Sequence, residues 1–123
     1  MTRGWVLLGA LSAAAAVAAG AFGAHGLKAS VAPEMLAAWD TAARYQLAHA
    51  VALVALAGLA RTWSGPTLRL AGALFVAGTV FFCGSLYLLV FTGVRGFGAV
   101  TPLGGLAFVA GWLVLAWGAL RAR

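Results

Sequence analysis

The residues able to do chemistry are few, and they fall into three short stretches. Tyr45, Gln46 and His49 lie in WDTAARYQLAHA (Trp39 to Ala50), Cys83, Ser85 and Tyr87 in CGSLYLL (Cys83 to Leu89), and His25 in GAFGAHGL (Gly20 to Leu27). Nucleophilic catalysis needs at least a hydroxyl or thiol beside a base, so Ser85 or Cys83 with His49 is the candidate couple. Such a couple also needs a group that orients the base. Nothing in the sequence supplies one, and no catalytic residue is assigned. Metal or haem ligation would draw on the same side chains, yet the chain has two histidines and one cysteine, with no CxxC and no cysteine and histidine at metal-ligand spacing. With His25 near a membrane surface and His49 deeper, opposed axial ligation is geometrically poor. Neither a metal nor any other cofactor is expected.

What positions these residues is a membrane. Of 123 residues, 64% are hydrophobic and 8% charged, with 17 glycines, a composition of the membrane class. About 20 mainly apolar residues cross about 30 Å of hydrocarbon, and four such runs use up most of the chain. The expected fold is all-α: a single membrane domain of four transmembrane helices in a compact up-down bundle, with helices at 5–25, 34–61, 68–92 and 101–120. The formal charge of +6 would suggest nucleic acid in a soluble protein. Here the arginines sit singly at the ends of apolar runs, so membrane lipids, not nucleic acid, are the expected partners.

The first run, Arg-led and ending in small residues, also fits a secretory signal peptide. Its length and the three spans after it favour a retained packing helix. Gly9, Ala13, Ala16, Gly20 and Gly23 would let a second backbone come close. Pro33 and Glu34 suit the first turn of helix two. Asp40 and Arg44, four residues apart, read as a surface pair. At 100° per residue Trp39, Ala42, Gln46, His49, Ala50, Leu53, Ala57 and Ala60 share one stripe, opposite Arg44, Ala48, Val51 and Ala55. Polar groups facing lipid are costly, so Gln46 and His49 should face the bundle, with His49 a neutral imidazole bonded to a neighbouring helix.

RTWSGPTLR (Arg61 to Arg69) is a turn punctuated by Ser64, Gly65 and Pro66. For helix three the same counting predicts an inward stripe of Ala73, Ala77, Val80, Gly84 and Tyr87, flanked by Cys83 and Ser85. Thr101 and Pro102 resemble a cap and a first helical position. Gly104, Gly111 and Gly118 recur every seven residues in helix four, a close-packing line. Counted inward at about 1.5 Å per residue, Gln46 and Tyr87 are each about 6 Å deep, and His49 and Ser85 about 9 to 10 Å. The polar residues of helices two and three should therefore meet in the half of the membrane that faces the first and third loops. Arg3, Arg61, Arg69, Arg121 and Arg123 mark the opposite surface, against Lys28 and Arg95 on the polar side, with Arg44 just at the boundary and two acids among them. That bias predicts cytoplasmic termini in a multi-pass plasma-membrane protein, with the polar half facing outward.

GAFGAHGL, WDTAARYQLAHA, CGSLYLL and TPLGGLAFVAGW (Thr101 to Trp112), in that order over nearly the whole chain, resemble the small membrane proteins grouped as domain-of-unknown-function family 423. The resemblance implies a four-helix plasma-membrane protein without an assigned reaction, substrate or partner. The chain departs from the family's pattern at Cys83, where FSGSLY has serine, and at Phe97, where leucine is usual. The functional expectation is an integral membrane protein of structural or accessory kind, binding a membrane-protein partner or a second copy of itself. The alternative is a lipid or small apolar ligand held in the outward half by His25, Tyr45, Gln46, His49, Ser85 and Tyr87. A haem or metal protein is the remote third.

Overall fold

The computed structural model describes residues 2–63 and 65–122. Ser64 of the second turn and Arg123 of the basic C-terminus lie outside the described residues. The chain forms α1 (Thr2–His25), α2 (Pro33–Leu59), α3 (Thr67–Gly78), a π-helical turn (Thr79–Cys83), α4 (Gly84–Thr92) and α5 (Thr101–Arg121), and no strand occurs among the described residues. α3, the π turn and α4 run on as one span. Four segments are long and apolar enough to cross a membrane: Thr2–His25, Pro33–Leu59, Thr67–Thr92 and Arg95–Arg121. The protein is an integral membrane protein of four spanning helices.

Local chemistry sets the helix ends. Pro33 opens α2 at its first position, where a missing N–H costs nothing, with Glu34 in the positive first turn. Gly93, at φ 71°, closes α4, and its N–H donates to Leu89 O at 2.8 Å. That left-handed closure is open to glycine at little cost. Thr101 does not cap α5: the N-cap is Val100, and no side chain caps that terminus.

α2 is the hub. Half of its most apolar stretch is buried, against 17%, 28% and 22% for the first, third and fourth spans. It packs on α1 to one side and on the third span to the other; α5 packs on the third span and also reaches α2, where Trp112 and Phe108 meet His49. The stripe expected for α2 is the buried one from Trp39 to Ala57, with Arg44, Ala48, Val51 and Ala55 exposed. Contact on two sides widens it to include Ala43, Ala52 and Leu56.

The third span corrects the expectation made for it. Leu68, Ala71, Gly72, Phe75 and Gly78 are buried in α3, whereas Ala73 and Val80 are exposed. Large rings point inward because the neighbouring helix makes room for them. A Cβ on Gly111 would stand 2.7 Å from the Phe75 ring, and one on Gly78 would run into Phe108. Each helix thus sets a phenylalanine into the other's glycine notch, a close fit that replaces the missing hydrophobic drive inside lipid.

The π turn then shifts the phase. From Gly78 the next buried residue is Cys83, a step of five in the numbering, where a regular helix steps by three or four. Thr79 Oγ1 donates to Phe75 O at 2.9 Å, one turn back, where the π turn begins. Gly104 of α5 lies against the backbone of Phe81 and Phe82, where a Cβ would not fit.

Candidate functional site

The polar side chains inside the bundle form bridges between helices. Gln46 on α2 is the centre of the first. Its Nε2 donates to Ser12 O at 3.1 Å and to Ser12 Oγ at 3.3 Å on α1, and its Oε1 accepts from the Tyr87 hydroxyl at 2.7 Å on α4. One amide therefore ties three helices, using donor and acceptor in opposite directions. Above it, Trp39 Nε1 donates to Ala19 O at 2.7 Å, and the indole edge meets Tyr87 at 4.6 Å and Phe91 at 5.2 Å between ring centroids. Gly23 permits this, since a Cβ there would lie 2.7 Å from the Trp39 ring.

His49 is the centre of the second bridge. Trp112 Nε1 on α5 donates to its Nε2 at 3.0 Å, and its Nδ1 lies 2.7 Å from Tyr45 O. An indole N–H can only donate, so Nε2 must accept and Nδ1 must carry the proton that meets the carbonyl. This is the neutral tautomer, with both nitrogens occupied. The imidazole also stacks on Phe108, with centroids 3.6 Å apart and planes at 14°.

A third bridge joins α4 to α5. Ser85 Oγ stands 2.6 Å from Thr101 Oγ1 and donates to Phe82 O at 3.0 Å. The Thr101 hydroxyl, read from sequence as a cap, serves this contact instead. Every buried side-chain nitrogen or oxygen among the described residues has a hydrogen-bond partner.

The six candidate residues are thus distributed, not gathered. Gln46 and Tyr87 bond directly; His49 and Ser85 belong to separate bridges. Tyr45 joins through its carbonyl, while its exposed ring stacks on Phe82 at 4.8 Å. His25 is exposed at the end of α1 and hydrogen-bonds to none of the other five. Neither Ser85 nor the buried Cys83 hydrogen-bonds to His49, whose nitrogens face Tyr45 and Trp112. The nucleophile couple is not assembled. No group of three histidine, cysteine or acidic side chains that could hold a metal occurs among the described residues.

Reading the sequence missed Ser12, Trp112 and Thr101, the partners in these bridges. Ser12 interrupts an alanine and leucine run and could have been marked by its polarity. Trp112 carried no signal, because a tryptophan within a span reads first as apolar.

Comparison with known proteins gives a consistent picture. A family model described as a protein of unknown function (DUF423) matches residues 19–105. Among curated proteins, the chain is 44% identical over 117 residues to a UPF0382 membrane protein of Staphylococcus epidermidis, with 95% of each chain covered. It is 42% identical over 118 residues to the UPF0382 membrane protein YwdK of Bacillus subtilis, covering 95% of this chain and 96% of that one. A UPF0382 membrane protein of Staphylococcus aureus is 43% identical over 111 residues, 90% of each. No solved structure matches.

Proposed function

Because the chain belongs to the DUF423 family of membrane proteins, whose members carry no assigned activity, we propose that it is a structural or accessory component of the plasma membrane, its polar cluster serving to hold its own helices together. One observation carries this reading: the polar side chains inside the bundle bond to each other and to backbone, and the bridges link α1 to α2, α2 to α4, α2 to α5 and α4 to α5. A ligand site would be expected to leave donors or acceptors aimed at a vacant space; these are already paired. Both termini face the cytoplasm in this proposal, since the termini and second loop carry Arg3, Arg61, Arg69, Arg121 and Arg123, against Lys28 and Arg95 in the first and third loops and Arg44 at the boundary. A membrane-protein partner or a second copy would engage the exposed apolar faces.

Replacing His49 by Leu tests the assignment. In mild detergent the variant should unfold at a lower denaturant midpoint, with the same copurifying lipid as the parent. A stable variant that has lost a copurified lipid would mark His49 as part of a ligand site instead. Orientation is tested by fusions at the C-terminus: a fluorescent protein should fold there, and alkaline phosphatase should stay inactive.

A further inference from the structure

At the end opposite the polar cluster, Arg3 and Arg61 line one groove of about 700 Å³ between the start of α1 and the end of α2. Its walls include Val6, Ala10, Val54 and Gly58. Both arginines are exposed. Neither has a carboxylate partner: the ion pair among the described residues joins Arg44 to Asp40, at 2.9 Å, and the other acid, Glu34, lies in the first turn of α2 at the far end of the bundle. The groove therefore has two cations at its mouth, an apolar trough below, and no acidic side chain in reach among the described residues. Beside Gly58 the trough is open, because a Cβ there would meet nothing within 4 Å.

We infer that this groove binds one anionic glycerophospholipid, with its phosphate between Arg3 and Arg61 and an acyl chain along the trough past Gly58. A guanidinium donates in a fork that matches phosphate oxygens. Arginines at helix ends also hold their charge at headgroup level while their stems stay apolar. A basic pocket between spanning helices is suited to an anionic headgroup. A zwitterionic lipid fits less well, because its cationic group would find two guanidiniums and no acid. The other described arginines of this end lie outside the groove, and Arg121 sits over the Trp117 ring at 5.2 Å. The site is separate from the polar cluster and does not depend on its role.

Native mass spectrometry of the full chain in detergent tests this, with dioleoylphosphatidylglycerol or dioleoylphosphatidylcholine added. A single phosphatidylglycerol should be retained, and phosphatidylcholine should not. Arg3→Gln with Arg61→Gln should weaken retention by about tenfold or more, the loss of about 1.4 kcal/mol. Gly58→Phe, which fills the trough with both arginines intact, should weaken it in the same direction. Arg69→Gln with Arg121→Gln removes the same charge from the same end and should leave retention unchanged. Circular dichroism checks that each variant is as helical as the parent. Equal retention of both lipids, an equal loss in the Arg69 and Arg121 control, or full retention by Gly58→Phe would each overturn the assignment.

Discussion

Gln46 and His49 look alike from the sequence, two polar residues on one stripe of an apolar helix, but they solve different problems. Gln46 has donors and an acceptor to satisfy and finds Ser12 and Tyr87 on opposite sides. His49 needs one donor and one acceptor and finds Trp112 and its own helix's carbonyl. Trp112→Phe keeps an aromatic side chain but removes the N–H together with the pyrrole ring, so it should cost at least about 0.6 kcal/mol, the average measured for hydrogen bonds between membrane helices. Equilibrium unfolding in mixed micelles reads this directly. The Asp40 and Arg44 pair is the contrasting case: both side chains are exposed, so Arg44→Gln should change stability by less than about 0.5 kcal/mol in the same assay. The inward direction of Gln46 and His49 was legible because polarity inside lipid must be paired. Their partners were not, because a tryptophan N–H and a serine among alanines give no periodic signal.

Among elements, α2 was readable and the third span was not, for a physical reason. The inner face of α2 carries Gln46 and His49 among its alanines, so a rule that turns polar groups away from lipid picks the correct side. In α3 the contact is Phe75 seated against Gly111, with Phe108 of α5 seated against Gly78. The small residue that makes room belongs to the partner helix, and a single-helix rule chooses the wrong face. The π turn at Thr79–Cys83 adds a phase change that counting at a fixed angle cannot contain. The heptad glycines of α5 were visible as a packing line, and Gly104, Gly111 and Gly118 are all buried. They need not be equally sensitive. At Gly104 a Cβ would meet the backbone of Phe81 and Phe82, which cannot rotate away, so Gly104→Ala should destabilise by about 1–3 kcal/mol, as overpacking does. Gly20 has open space around its Cβ position, and Gly20→Ala should be neutral or stabilise α1 by about 0.5–1 kcal/mol, the usual gain of alanine over glycine in a helix. Thermal unfolding of the two variants in one detergent compares them.

The whole molecule consists of two helical hairpins, α1 with α2 and the third span with α5, joined mainly along the side of α2 that faces the third span. Four spans and their order could be read from hydropathy and turn residues, because a membrane leaves few alternatives for apolar runs of that length. The distribution of polarity between the two ends could be read as well, from depth along antiparallel helices. Tyr87 and Gln46 fasten one hairpin to the other at the polar end. A double-mutant cycle with Tyr87→Phe, Gln46→Leu and the pair, measured by unfolding in mixed micelles, tests it most directly. The two substitutions should be non-additive, with a coupling energy of about 0.6–1.7 kcal/mol. Additive losses, with no coupling between these positions, would contradict the account.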